Sequence, residues 1–461
     1  MDTHEIARIV ENQRAFFNTN ATRDIPFRVR QLKALKKALA DHEKEIYEAL
    51  RLDLGKSKFE TYLGEIALVV KEIDHSCAKL HSWAKPKRVG TPMVHFPAWS
   101  YIYSEPLGVV LIIGTWNYPI QLTLAPLVAA MSAGNCAILK PSRLAPNTAH
   151  LMAEMLGNSF DPGLVTVVEG GGDTAQALLE HRFDHIFFTG GTTVGKQIAM
   201  AAARNLTPVT LELGGKSPCI VDRDVNLDVT ARRITWGKFF NAGQSCVAPD
   251  YVLVDKTIKK DLLESIKACI TRFFGENPQT SPDYARIVNS RHFERLAGLL
   301  AEGDTIIGGK LDPNDNYIAP TVIDNVLMEH KVMESEIFGP ILPVVEYEDL
   351  SQAIAIVNSR PKPLSLYLFS DNRETQERIL RQTTSGGGSV NDTVVHLSTQ
   401  SLPFGGVGDS GMGRYHGKSG FDTFSNKKSI LKRPFWLDVK LRYPPYGKRL
   451  PLMKVIMRLF G

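Results

Sequence analysis

Nowhere in its 461 residues does the chain approach the roughly 20 consecutive apolar residues that a membrane-spanning helix requires, so no span is expected. Cysteine is scarce. Cys77, Cys136, Cys219, Cys246 and Cys269 are odd in number, irregularly spaced and without a CxxC pair, which argues against a disulfide framework and against metal-ligand spacing. A reducing compartment fits this usage better than an oxidising one. A strong charge bias is also missing: 54 Lys and Arg against 49 Asp and Glu leave +5, small for the length, so nucleic acid is not expected as the main partner. The start, Met1-Asp2-Thr3-His4-Glu5, lacks a basic region followed by an apolar one, so neither a signal nor a transit peptide is expected and the expected location is cytoplasmic. No internal repeat or low-complexity tract interrupts the chain.

What is present is enough for two or three cores. From about Ala21 to Leu80 apolar residues recur at helical spacing among Lys and Glu: Leu32, Leu35, Leu39, then Ile46 and Leu50. The period then shortens. Trp99 to Tyr103 alternates as a strand or hairpin arm, and after Pro106 and Gly108 the run Val109 to Ile113 reads as a buried strand. Further apolar runs at 136–139, 164–168 and 185–188 alternate with helical stretches, which predicts a parallel sheet covered on both faces. A second β/α series at 219–221, 251–254, 341–345 and 364–368 predicts a second domain beginning near Gly214-Gly215.

Four features carry chemistry. Cys246, in Phe239 to Pro249 (FFNAGQSCVAP), follows small and polar residues that let a substrate approach; it is either a thiol nucleophile or one more core cysteine. Glu212, between Leu211 and Leu213 and before two glycines, is either a base at the end of a buried strand or a surface-facing strand residue. Asn117, in GTWNYP just after an apolar strand, can donate to an oxyanion in a sheet-end crevice or make the turn before Pro119. The glycine turn Phe188 to Lys196 (FTGGTTVGK) lies between a strand and a helix, where backbone N–H groups can meet a phosphate or where the glycines only make a turn. It is neither a G-x-G-x-x-G fingerprint nor a phosphate loop, because Gly195-Lys196 is followed by Gln197, and an ATPase is therefore disfavoured.

These elements occur in an order that resembles the aldehyde dehydrogenase superfamily, from the Asn117 loop to at least Gly413. The stretches TPVTLELGGKSPC (Thr207 to Cys219) and GQSCVAPDY (Gly243 to Tyr251) are most similar to its class 3 and fatty aldehyde dehydrogenase branch. The resemblance implies an α/β aldehyde dehydrogenase fold with two doubly wound parallel-sheet domains and an oligomerisation arm. The nucleotide-binding domain is expected over 1–83 and 105–211, the catalytic domain over 212–395, and the arm over 84–104 and 396–435. The arm would join a hairpin near 84–104 to a strand near Phe421 to Arg433.

It also implies the chemistry. The sulfur of Cys246 attacks an aldehyde, the Asn117 amide and the Cys246 N–H hold the oxyanion, and the aldehyde hydrogen leaves with its electrons for the nicotinamide of NAD or NADP. Glu212 then activates water, rather than coenzyme A, to release the acid. For the cofactor the resemblance points to Thr115 and Trp116, to Lys140 and Ser142 at the adenosine ribose, and to Gly190, Gly191, Thr192, Val194 and Gly195 at the phosphates. Leu213, Glu336 and Phe338 complete the set at the nicotinamide end. Gly191 stands where the family has Ser. Arg143 stands where NAD-preferring relatives commonly have Glu, and a guanidinium there would pair with a 2′-phosphate unless it turns to solvent. Tyr62 is a candidate for the substrate wall or a core tyrosine. A homodimer is implied, and the expected substrate is a medium- or long-chain aliphatic or aromatic aldehyde. A cysteine hydrolase or thioesterase could use the same nucleophile, oxyanion donor and base, but would not need the cofactor set.

The tail at 436–461 ends in a basic amphipathic segment, with Leu452, Val455, Ile456 and Leu459 on one face and Lys454 and Arg458 four residues apart. It has three readings: an interfacial helix on the cytoplasmic face of an anionic membrane, a cap over a neighbouring subunit's substrate entrance, or a helix packed on its own domain.

Overall fold

A computed structural model describes residues 3–460, so Met1, Asp2 and Gly461, at the outer ends of the expected first and last segments, lie outside it. The helical start is a layer of helices, including Thr3–Asn18, Ile25–Asp41, Glu43–Leu54 and Ala67–Ala84. Asp24 caps the second by accepting the N–H of Phe27, and Leu32, Leu35 and Leu39 are sealed on its inner face. Between Lys58–Thr61 and Ala67–Ala84 the coil widens into a π-helical turn at Tyr62–Ile66.

Two sheets with separate apolar cores follow. The first has six strands in the order Gly411–Met412, Val209–Glu212, His185–Thr189, Val109–Ile113, Cys136–Lys140, Val165–Val167, parallel except for the first. The second has seven, in the order Asp304–Ile307, Thr321–Asp324, Ile341–Tyr347, Tyr251–Asp255, Pro218–Val221, Ser365–Phe369, Gly387–Val390, parallel except for the Asp304–Ile307 edge. Val109–Ile113, Cys136–Lys140 and Tyr251–Asp255 are buried throughout, as near-continuous apolar runs demand when helices cover both faces. The helix Gln121–Ala133 is buried on every side, consistent with its lack of a polar face. The strand Gly387–Val390 has no apolar run to announce it, and its Gly388 lies where a Cβ would meet the Leu366 carbonyl oxygen at 2.1 Å.

A third, antiparallel sheet joins Lys87–Val89, Trp99–Pro106 and Ser425–Lys432. Its last strand starts later than expected: Phe421 belongs to the helix Gly417–Thr423 and is buried in the core of the first sheet. Part of the expected 396–435 arm serves that sheet too, since Gly411–Met412 pairs with Val209–Glu212. The chain ends in the helix Leu450–Phe460, which packs near the turn Met93–His95. Met453 and Ile456 are half-buried, whereas Leu452, Val455 and Leu459 are exposed, so the expected four-residue face does not pack as a unit.

Candidate active site

Parallel strands of the first sheet end side by side, and their register brings four sequence-distant positions to one edge. Lys140 pairs with Ile113, Phe188 with Ile113, and Glu212 with Thr189. The loops that follow these ends carry Thr115 to Asn117, Ser142 and Arg143, Gly190 to Gly195, and Leu213 to Gly215, which is the crevice where open α/β sheets bind ligands.

Cys246 reaches this edge from the other sheet. The turn before it has three successive left-handed residues, Asn241 (φ 54°), Ala242 (φ 50°) and Gly243 (φ 72°), and two of them lack glycine's freedom. Hydrogen bonds hold it there: Asn241 Nδ2 donates to the Asn117 and Gln244 carbonyls at 3.0 and 3.1 Å, and Gln244 Nε2 donates to Asn241 and Arg286 carbonyls at 3.1 and 2.9 Å. Gly243 has no alternative, because a Cβ would lie 2.3 Å from the Gly339 carbonyl oxygen.

The Cys246 side chain is half-buried, unlike Cys136, Cys219 and Cys269, which are core. Burial pushes its thiol well up, the Glu336 and Glu212 carboxylates push the same way, and the N–H groups of Cys246 and Val247 oppose them. Such a thiol must give up its proton as it attacks. Glu212 is 3 % exposed and neither of its oxygens has a hydrogen-bond partner. Burial raises its carboxyl far above the ordinary range, and Arg414 only partly offsets this. The surface-facing reading of Glu212 is thereby corrected.

Asn117 is buried, with Nδ2 donating to the Gln244 carbonyl at 3.1 Å. An amide nitrogen has two hydrogens, so one remains for an incoming oxygen. It does more than turn the chain.

The cofactor candidates fall into three groups along the edge. Lys140 Nζ donates to the Pro141 and Gly170 carbonyls at 2.9 and 2.7 Å, and burial, then Arg143, lowers it to about 8. Ser142 Oγ accepts the Leu144 N–H, and the exposed Arg143 lies against Gly171. In the second group Gly191 caps the helix Thr192–Ala203 without a side-chain hydrogen bond, leaving its first N–H groups for an anion. Gly190 and Thr192 are half-buried, Val194 is exposed, and Gly195 lies against Leu213, where a Cβ would come within 2.7 Å of Cδ2. In the third, the Trp116 and Phe338 rings meet edge to face at 5.3 Å, beside the half-buried Thr115. Glu336 lies on Gly214 so closely that a Cβ there would be 2.0 Å from Oε2, and its Oε1 is buried without a partner. Uncapped helix N–H groups at one end and an orphaned carboxylate oxygen at the other fit a dinucleotide with phosphates and a ribose hydroxyl.

On the other side of Cys246 a cleft of about 880 Å³, partly open to solvent, is walled by Leu122, Trp236, Phe240, Val394, Leu397 and Phe404. His416 also lines it, and burial followed by His396 lowers it to about 4, so it is neutral near pH 7. Tyr62 does not line the cleft; it is 49 % exposed, and the π-helical turn presents Leu63 and Gly64 instead. Among the described residues none after His416 lines it. Sequence reading missed these walls. Trp236 and Phe240 were findable from their four-residue spacing just before Cys246, whereas Leu397 and Phe404 fall in the segment assigned to the arm.

Comparison with known proteins places this arrangement. The sequence profile described as "Aldehyde dehydrogenase family" matches residues 1–430. The 4,4'-diaponeurosporen-aldehyde dehydrogenase of Staphylococcus aureus is 48 % identical over 449 residues, covering 97 % of this chain and 98 % of that protein. The dimeric NADP-preferring aldehyde dehydrogenase of Canis lupus familiaris is 48 % identical over 444 residues, covering 96 % and 98 %. The solved structure of the substrate-bound state of Staphylococcus aureus AldH superposes with a TM-score of 0.96 at 47 % identity, covering 98 % of this chain and 99 % of that one.

Proposed function

The chain belongs to the aldehyde dehydrogenase family, and we propose that within it the substrate is an apolar aldehyde, medium- or long-chain aliphatic or aromatic, oxidised through a thiohemiacetal and a thioester on Cys246. The family's reaction is the NAD(P)-dependent oxidation of an aldehyde to its acid. The observation that carries the finer reading is the aromatic and aliphatic cleft that Cys246 lines. A relative named for an aldehyde of diaponeurosporene supports it.

In this reading the thiol loses its proton to solvent through the open side of the cleft as sulfur bonds to the carbonyl carbon, because a standing thiolate is disfavoured by burial and two carboxylates. The second N–H of the Asn117 amide and the Cys246 backbone N–H receive the developing oxyanion, in place before the reaction and so without reorganisation. When bound, the oxidised nicotinamide supplies the acceptor for the aldehyde hydrogen and its electron pair. Trp116 and Phe338 would lie at the ring, and Glu336 would hold the ribose. Glu212 then takes a proton from water as the water oxygen attacks the thioester carbon, and the acid leaves as the C–S bond breaks and sulfur takes that proton from Glu212.

Arg143 is proposed to favour NADP, since its exposed guanidinium beside Gly171 can pair with a 2′-phosphate. A homodimer through the third sheet is proposed as well, supported by the relative named as dimeric. For the tail, Leu452, Val455 and Leu459 beside Lys454 and Arg458 suit an anionic surface on the cytoplasmic side, and equal liposome flotation of the full chain and one ending at Tyr446 would refute this.

The test of the function is absorbance of reduced nicotinamide with aldehydes from short to long chain and with both cofactors. The expected profile rises with chain length or aromatic character. No reduction with any pair overturns the reading.

A further inference from the structure

Three charged side chains of the helical layer are buried where the reaction has no chemical use for them. Lys56, Glu60 and Glu65 are 2, 7 and 0 % exposed. Lys56 Nζ meets Glu65 at 2.6 Å, donates to the Asn117 carbonyl at 2.7 Å and lies 4.1 Å from the centre of the Tyr118 ring. The other oxygen of Glu65 accepts the N–H groups of Ile120 and Gln121, each at 3.0 Å. Glu60 accepts the N–H of Asn241, at 3.1 and 3.3 Å to its two oxygens.

Apart from the Lys56–Glu65 pair itself, these bonds end on backbone close to a reacting group. Asn117 carries the oxyanion amide, Ile120 and Gln121 begin the helix behind it, and Asn241 opens the left-handed turn that presents Cys246. One ionic cluster therefore grips both sides of the gap between oxyanion donor and nucleophile. The π-helical turn is what lets it do so. Residues five apart in an α-helix diverge by about 140°, whereas a wider turn closing between residues i and i+5 brings Glu60 and Glu65 toward the same side. Burying charge is a poor route to stability, because well-packed apolar residues of similar volume do as well or better. Directed hydrogen bonds to chosen backbone groups are what apolar residues cannot supply.

We propose that Lys56, Glu60 and Glu65 are positioning residues of the reaction, which set the placement of the Asn117 amide against the Cys246 thiol and thereby the rate of acylation. This rests on the assignment of Cys246 and Asn117 above.

The test compares the wild type with Lys56→Met/Glu65→Gln, which removes both charges together and so leaves no lone buried ion. The readouts are the rate of the first turnover by nicotinamide absorbance, the cofactor Kd by fluorescence and the circular dichroism spectrum. The expected result is a first turnover slowed about ten- to a hundredfold, as for a small misplacement of reacting groups, with cofactor Kd held within about twofold. A natively folded variant with an unchanged first turnover overturns the proposal, and so does a loss of rate matched by an equal loss of cofactor affinity. Should the double variant not fold, Glu60→Asp decides: it keeps the charge but withdraws it from the Asn241 N–H, and an unchanged first turnover there overturns the proposal. A wild type that turns over no aldehyde fails the underlying assignment instead, and the two failures are distinct.

Discussion

The side-chain amide of Asn117 donates to the backbone carbonyl of Gln244 at 3.1 Å, tying the loop after a strand of the first sheet to the turn that presents Cys246. Asn117 thus holds the turn before Cys246 with one hydrogen and, in the proposed reaction, offers the other to the substrate oxygen. Asn117→Ala is expected to slow the first turnover by about 10² to 10³-fold, the usual loss for one oxyanion donor. Stopped-flow absorbance checks this.

Glu212→Gln should separate the two halves of the reaction. Its unpartnered oxygens and buried setting suit proton transfer from water, so the variant is expected to keep a rapid first turnover and slow the steady state. Because burial raises the Glu212 carboxyl, the carboxylate forms only above the ordinary carboxyl range. Wild-type steady-state rate should therefore rise with pH along a limb that the variant lacks. A pH profile of kcat for both proteins checks it.

Arg143→Glu should reverse the charge at the adenosine ribose. A charge-assisted hydrogen bond contributes about 1.5–3 kcal/mol, so the ratio of kcat/KM for NADP over NAD is expected to fall at least about tenfold. Initial rates with both cofactors decide it, and an unchanged ratio would place the guanidinium in solvent.

Glu72, which does not itself line the cleft, offers a stability measurement. It is 4 % exposed, accepts the Gly417 N–H at 2.6 Å, and is raised by burial from 4.5 to about 7. The folded state holds this proton more tightly than the unfolded one, so the stability it contributes is complete below about pH 4.5 and is lost as pH rises through about 7. Glu72→Gln keeps an acceptor oxygen without the charge. It is expected to stabilise the protein at pH 8, by up to about 3 kcal/mol, and to be near neutral at pH 4.5. Thermal melts at the two pH values check the sign.

Much of the architecture was legible from the pattern of apolar runs. Val109 to Ile113 and Tyr251 to Val254 declared themselves as buried strands because a parallel sheet covered on both faces leaves no room for alternation. The helical layer was legible from Leu32, Leu35 and Leu39 for the complementary reason, a single inward stripe. Where the signal was weak the boundaries slipped: Phe421, set among glycine and polar residues, reads as strand but turns inward from a short helix.

The sequence by itself determined the chemical types on offer and the loops that carry them: a thiol after small residues, a carboxylate before two glycines, an amide after a strand, a glycine turn before a helix. It left open which cysteine reacts and whether Glu212 faces solvent, because burial depends on partners far away in the chain. Only the tertiary structure decided that Cys246 stands half-open while Cys136 and Cys219 are sealed, that Glu212 has no partner, and that Tyr62 lies outside the cleft. It also decided the fate of Lys56, Glu60 and Glu65, which no pattern of apolar residues singles out. They are buried because the backbone groups they bind, at Asn117, Ile120, Gln121 and Asn241, come together only when the two sheets and the helical layer have packed.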